Sequence, residues 1–170
     1  GPKMTETAAA VADGLLIHSF TTERYIREVT VPTIEATLKK FDRKRADFEL
    51  VYPIFAITAD TEEKFNEIKT ATKKQIAFYG STPSYKGVLD LHGWGDLQGE
   101  LNLMSKQGRW NEMGALIEDD ILEAFAVVGE PEAVAKDIKA RYSGLIDRAS
   151  VQFQGVAKER VPELMKIVRG

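Results

Sequence analysis

The chain offers few side chains capable of chemistry. Its 170 residues include two histidines, His18 and His92, and no cysteine. Disulfides and thiolate metal sites are therefore excluded, and any catalytic histidine must be one of these two. His18 closes the short apolar run Leu15–Leu16–Ile17 and is followed by Ser19, Thr21 and Thr22. Those hydroxyls can donate hydrogen bonds, and Thr21 or Thr22 can cap a helix by accepting from its free amides. His92, in "LHGWG", reads as structural, and Trp94 and Trp110 read as packing residues. The acidic triplet Glu118–Asp119–Asp120 points in different directions around a helix and has no histidine beside it. It reads as a solvated face rather than a metal site. "GWGDLQGE" misses the spacing of a dinucleotide-binding loop and follows no strand. No nucleophilic triad, phosphate-binding Walker loop or metal signature occurs.

The elements that must carry these residues follow from the apolar pattern. After a Gly–Pro turn, the Ala-rich stretch with Ala8 to Val11 reads as a short helix, broken at Asp13–Gly14. Leu15–Ile17 is an apolar run bounded by turn residues, as in a strand of a parallel sheet. A helix follows from Thr21–Thr22, and Pro32 is expected to kink or restart it. The basic stretch Lys39 to Arg45 reads as a solvated helix end. "FELVYPIFAIT" (48–58) is the second strand, with its regular part expected from Pro53, since proline cannot donate to a ladder. Asp60–Glu63 opens a helix with a D-x-x-E signal. Val88 to Gly114 turns irregular and glycine-rich and reads as loops and short helices, an insertion, after which Ile117 to Phe125 is helical and Ala126 to Val128 apolar. A helix from Gly129–Pro131, a third strand at Ala149–Phe153 and a helix at Val161–Val168 complete the chain. Strands alternating with helices mean βα units on a parallel sheet. Three strands leave an apolar face and two edges with little to cover them.

The stretches "GPKMTETAAAVADGLLIHSF", "AITADTEEKF", "YGSTPSYKGVLDLHGW" and "VVGEPEAVAKDIKARY", in this order, resemble the luciferase-like monooxygenase family, in particular its branch dependent on the deazaflavin coenzyme F420. The resemblance runs from Gly1 to about Gln154. It implies an α/β fold, a partial (β/α)8 barrel of which residues 1–170 form the C-terminal half. Leu15–Ile17 would be strand six, Pro53–Thr58 strand seven and Ala149–Phe153 strand eight, with the helical insertion, residues 80–129, between seven and eight. Strands one to five are absent, and Gly1 is expected to follow a missing strand five, although a leading Gly–Pro also reads as the scar of a protease cut.

The resemblance also implies a site. Barrel enzymes place chemistry on the loops after their strands. In relatives, the Gly–Pro turn after strand five and the loop after strand six hold the cofactor phosphate. The residues expected to bind cofactor are Gly1, Pro2, Lys3, His18, Ser19, Thr21 and Thr22. Glycine lets amides approach an oxyanion and a helix N-terminus favours negative charge, while Lys3 adds a cation. His18 would touch the cofactor ring or substrate, or be a satisfied, non-catalytic histidine. No catalytic residue is carried over, because the family's ring pocket and proton-handling groups come mainly from the first half of the barrel. The implied function is hydride transfer or monooxygenation on a small organic substrate with coenzyme F420, or FMN in its place. The alternative is a non-catalytic half-barrel that forms a homo-oligomer or docks on a full-length relative or a missing N-terminal half. A net charge of −3 argues against nucleic acid. No run of 18 apolar residues spans a membrane, and the lack of cysteine fits a cytoplasmic protein.

Overall fold

The computed structural model describes all 170 residues. Helix α1 (Pro2–Val11) has Gly1 at its N-cap and Pro2 in its first turn, and leads into strand β1 (Gly14–Leu16). Thr22 caps α2 (Glu23–Tyr25), its hydroxyl accepting the Tyr25 N–H at 3.1 Å. The helix then runs through a π turn, Ile26–Thr30, into α3 (Val31–Lys40). The α-helix thus restarts at Val31 with Pro32 in its first turn, as expected, and the restart is made through a π turn. The wider turn sends the Val31 N–H back to the Ile26 carbonyl, which accommodates a proline that has no N–H and whose ring crowds the preceding turn. Strand β2 (Glu49–Ile57) is followed by α4 (Glu62–Gly80), α5 (Lys86–Leu91), α6 (Gly95–Lys106), α7 (Trp110–Met113) and α8 (Asp119–Phe125). Strand β3 (Ala126–Val128), α9 (Pro131–Tyr142), β4 (Arg148–Val151) and α10 (Val161–Arg169) end the fold.

All four strands are parallel and β2 is the hub. β1 pairs with its start (Leu16↔Val51), β4 with its middle (Pro53↔Ser150) and β3 with its end (Ala56↔Val127). The regular strand thus begins at Glu49, not near Pro53, and β3 is a strand where the sequence shows only three apolar residues. Pro53 is tolerated mid-strand for a geometric reason. The Val51 carbonyl accepts from Ile17 and the Ile57 carbonyl from Gly129, so odd positions of β2 bond toward the β1 and β3 side. β1 stops at Val51 and β3 starts at Phe55. Pro53 therefore faces the gap between them, where no ladder donor is needed.

The two faces of the sheet have different fates. Leu15, Leu50, Tyr52, Ile54, Ala149 and Val151 lie on one face and join a core with Ala9, Leu38, Ile138 and Leu164 from α1, α3, α9 and α10. On the other face lie Leu16, Val51 and Ser150, and the Leu16 side chain is left 67% exposed. A second core forms around Phe20, Ile57, Ile76, Leu101 and Phe125, mostly from α4 to α8.

Several polar residues bind the elements together in ways the sequence pattern does not reveal. Arg43, expected on a solvated helix end, donates to the Ala9 and Ala12 carbonyls at 2.7 Å each and closes the end of α1. The Asp147 carboxylate accepts from the Leu50 N–H at 2.7 Å and from Arg45 at 2.7 Å, fixing β4 against β2. The N-cap of α4 is Thr61, whose hydroxyl accepts the Lys64 N–H at 3.3 Å. Asp60 instead accepts from the Ala157 N–H at 2.7 Å and pairs with Arg160. At Gly14 a Cβ would come within 2.6 Å of the Glu49 carbonyl oxygen, so only glycine permits the close approach of β1 to β2.

Candidate functional site

β1 delivers the loop His18–Thr22 to the C-terminal edge of the sheet, and each residue of the loop is fixed by a different neighbour. Phe20 is buried in the second core, tilted against Phe125 with ring centroids 4.6 Å apart. The fully buried Tyr52, in the first core, donates its hydroxyl to the Thr21 carbonyl at 3.2 Å. Burial, with the Tyr142 hydroxyl beside it, drives the Tyr52 pKa well up, so the phenol stays a donor. Thr22 Oγ1 caps α2 and lies 2.8 Å from His92 Nε2, and the His92 ring stacks on Trp94 at 4.5 Å. His92 is thus structural, and its work is to tie the insertion to the loop. Sequence reasoning missed that contact, because nothing in spacing links residues 70 positions apart.

The Phe20 N–H donates to His18 Nδ1 at 3.0 Å. The imidazole meets Tyr79 edge-on at 4.6 Å and stacks on Tyr85 at 5.0 Å. Burial lowers the His18 pKa below its usual value. The His92 pKa is lowered too, first by burial and then by the charge of Arg24, against an opposing pull from Glu28.

A cleft of 490 Å³ runs from the start of α1 along β1 to the start of α5. It gathers Gly1, Pro2, His18 and Thr21 of the expected site, together with Tyr25 and Tyr85. No lysine, arginine, aspartate or glutamate side chain lines it. Lys3 is exposed outside its lining, Thr22 is occupied as a cap, and Ser19 opens instead onto a separate hollow of 310 Å³ beside Pro53, Phe55 and Gln152. These three residues are therefore not part of the cleft: Ser19 turns to that hollow, Thr22 to the cap of α2, and Lys3 lies outside the lining on the first turn of α1.

At the α1 end, Pro2 has no N–H, and the Met4 and Thr5 amides return to the Gly1 carbonyl at 3.1 and 3.2 Å. That leaves the Lys3 amide as the first-turn donor for an anion. Midway along the cleft, the Thr21 hydroxyl is buried with no hydrogen-bond partner. A buried orphan hydroxyl costs about 1–3 kcal/mol, and because this oxygen is covered within the loop, a ligand in the cleft would satisfy it only by displacing the wall above it. The donors present, an amide at a helix start, a hydroxyl and an imidazole, fit a cofactor with an anionic end and a neutral body. The acidic triplet is solvent-exposed, as expected of a solvated face. Asp119 pairs with Lys69 at 2.8 Å and Lys73 at 2.6 Å, binding α8 to α4.

A parallel α/β sheet with a ligand-sized cleft on the loops at its C-terminal edge defines a class of small-molecule-binding folds. Within that class the chain belongs to the luciferase-like monooxygenase family, whose family model matches residues 1–148. It is 43% identical over 159 residues to an uncharacterized protein of Mycobacterium tuberculosis, covering 94% of this chain and 47% of that protein. It is 30% identical over 168 residues to the 5,10-methylenetetrahydromethanopterin reductase of Methanopyrus kandleri, covering 97% of this chain and 46% of the reductase. The fold is similar to that of the coenzyme F420-dependent tetrahydromethanopterin reductase from the same organism. The TM-score is 0.70 at 23% identity, over 97% of this chain and 46% of that one. It is also similar to an F420-dependent secondary alcohol dehydrogenase solved with an F420–acetone adduct, with a TM-score of 0.62 at 16% identity over 100% of this chain and 47% of that one. The chain spans about half the length of the curated relatives it matches. No helix is long and apolar enough to cross a membrane.

Proposed function

We propose that this chain is the C-terminal half of a (β/α)8-barrel oxidoreductase that uses coenzyme F420, with FMN as the alternative, and that it supplies the binding cleft for the cofactor. One observation carries the reading: the orphaned Thr21 hydroxyl and the His18 ring share an uncharged cleft with the start of α1. The anionic end of the cofactor reaches past the Gly1–Pro2 edge of the cleft to the Lys3 amide and ammonium just outside its lining, and Thr21 and His18 hold its neutral body inside. The bound deazaflavin supplies hydride transfer to or from a small organic substrate, while the protein binds it, orients it and keeps water out. The groups that handle the substrate proton lie on the other half of the barrel. The similarity to F420-dependent relatives supports the choice of cofactor.

The exposed sheet face supports the half-barrel. Leu16, beside Val51 in register, has the apolar character of a barrel interior and no cover from this chain. A second reading rests on the same face, in which two copies pair their sheets as a non-catalytic module. Fluorescence titration of the purified chain with coenzyme F420 and with FMN tests the proposal. Saturable binding of either below tens of micromolar supports it. No binding of either at that concentration, in a protein that sediments as a dimer, overturns it in favour of the paired module.

A further inference from the structure

We infer that His18 is held as a neutral imidazole whose Nε2–H is a hydrogen-bond donor to an uncharged carbonyl or ring-nitrogen acceptor of the ligand in the cleft. The argument begins with the Phe20 N–H, which donates to His18 Nδ1 at 3.0 Å. A nitrogen that accepts a hydrogen bond carries a lone pair, so the single proton of a neutral ring must sit on Nε2. That is the ring's only hydrogen bond within the protein, and Nε2 finds no acceptor on the chain. Tyr79 on the edge at 4.6 Å and Tyr85 on the face at 5.0 Å confine the ring, so the donor is fixed before any ligand arrives.

The surroundings disfavour the imidazolium. It would need a second N–H at Nδ1, which faces the Phe20 amide and would turn an attraction into a clash of donors. The titratable groups around the ring are the phenols of Tyr79 and Tyr85 in contact with it, and Tyr25 and the Gly1 amino group on the cleft wall. No carboxylate is among them to stabilise a cation. Burial lowers the pKa in the same sense. His18 is therefore a poor base in this setting, since Nε2 is already protonated and Nδ1 is engaged. It shares the cleft with Thr21 and with the apolar residues Leu15, Ile17 and Val88. A neutral donor in such surroundings suits a planar, carbonyl-bearing group. This inference rests on the cofactor reading for the identity of its ligand but not for the state of the ring.

Two measurements on the full chain separate those dependencies. In histidine-¹⁵N-labelled protein at pH 7, long-range ¹H–¹⁵N correlation should give His18 a pyridine-type Nδ1 and a pyrrole-type Nε2. The opposite tautomer or an imidazolium pattern overturns the inference whether or not a cofactor binds. In titrations with FMN and coenzyme F420, His18→Gln, which retains a donor, should bind within about threefold of the parent. His18→Phe, which keeps only the ring, should bind about tenfold more weakly, the worth of one neutral hydrogen bond. Parent-like affinity in His18→Phe, with its melting temperature unchanged, overturns the donor role. Failure of both probes to bind the parent overturns the cofactor reading and the ligand side of this inference together, while the spectrum still decides the tautomer.

Discussion

Replacing Tyr52 with phenylalanine removes one oxygen from beneath the site and leaves the ring contacts in place. Tyr52 is completely buried, its ring centroid is 5.3 Å from that of Tyr142, and its hydroxyl donates to the Thr21 carbonyl at 3.2 Å. A neutral intramolecular hydrogen bond contributes about 0.5–1.5 kcal/mol, and a carbonyl left dry costs about 1–3 kcal/mol. The Thr21 carbonyl sits beside the cleft, so water can recover part of the loss, and we place the cost at about 1.5 kcal/mol. For a chain of this size that lowers the melting temperature by about 3–6 °C. The assay is thermal and urea denaturation of the two proteins side by side, followed by cofactor titration. The slope of the urea transition should not change, because no core surface is newly exposed. Affinity should fall along with stability, since the released carbonyl belongs to a residue of the cleft wall. A Tyr52→Phe protein that melts with the parent and binds with the parent's affinity would refute the claim that this hydrogen bond sets the loop.

Thr21→Val tests the orphan hydroxyl from the other direction. The free protein should be as stable as the parent or more so by about 1 kcal/mol, because an unpaired buried oxygen is gone, while cofactor affinity should drop about tenfold. Denaturation and titration of the same sample report both. Asp119 is held down to about pKa 2, first by its hydrogen bonds to Lys69 and Lys73. A depressed carboxyl contributes stability that is present above its unfolded value of 3.8 and lost as pH falls through about 2. Denaturation midpoints should therefore fall between pH 4 and 2 in the parent and fall less in Asp119→Asn. Leu16→Asp should leave the melting temperature of the isolated chain within about 1 °C, since that side chain is mostly exposed. It should abolish association with the other half of the barrel or with a second copy, as read by sedimentation.

The course of the fold was written in local pattern where apolar runs and turn residues are unambiguous. Leu15–Ile17, the run ending at Ile57 and the α9 stripe Val134–Ile138–Tyr142 are all where spacing puts them. What local pattern could not supply was anything decided by a partner distant in sequence. Pro53 reads as a strand breaker until the gap between β1 and β3 is known. Arg43 reads as part of a solvated helix end until the Ala9 and Ala12 carbonyls appear beside it, and nothing in the pattern marks Asp147 as the acceptor for the Leu50 N–H. The site divides the same way. His18, Thr21 and Gly1–Pro2 are named through the family resemblance, which points to the loop after a strand and the Gly–Pro turn; pattern alone leaves them as a strand-end histidine, a cap and a turn. The exclusion of Lys3, Ser19 and Thr22 depends on which way each side chain turns, and the part played by His92 depends on a contact across 70 residues.

The loop from His18 to Thr22 is also the seam between the two cores. Tyr52 holds the Thr21 carbonyl from the core of α1, α3, α9 and α10, while Phe20 anchors in the core of the α4–α8 region and His92 reaches Thr22 from the insertion. Ring and hydroxyl donors separated by three residues are thus positioned by two bodies that share little else along the sheet. A core substitution in either body should then shift the ligand donors before it unfolds the chain, because the loop has no rigid support of its own. It follows that the insertion is part of the site's framework: loosening α5, which carries Val88 and Leu89 into the second core, should weaken cofactor binding even though α5 itself adds only Gly87 and Val88 to the cleft wall.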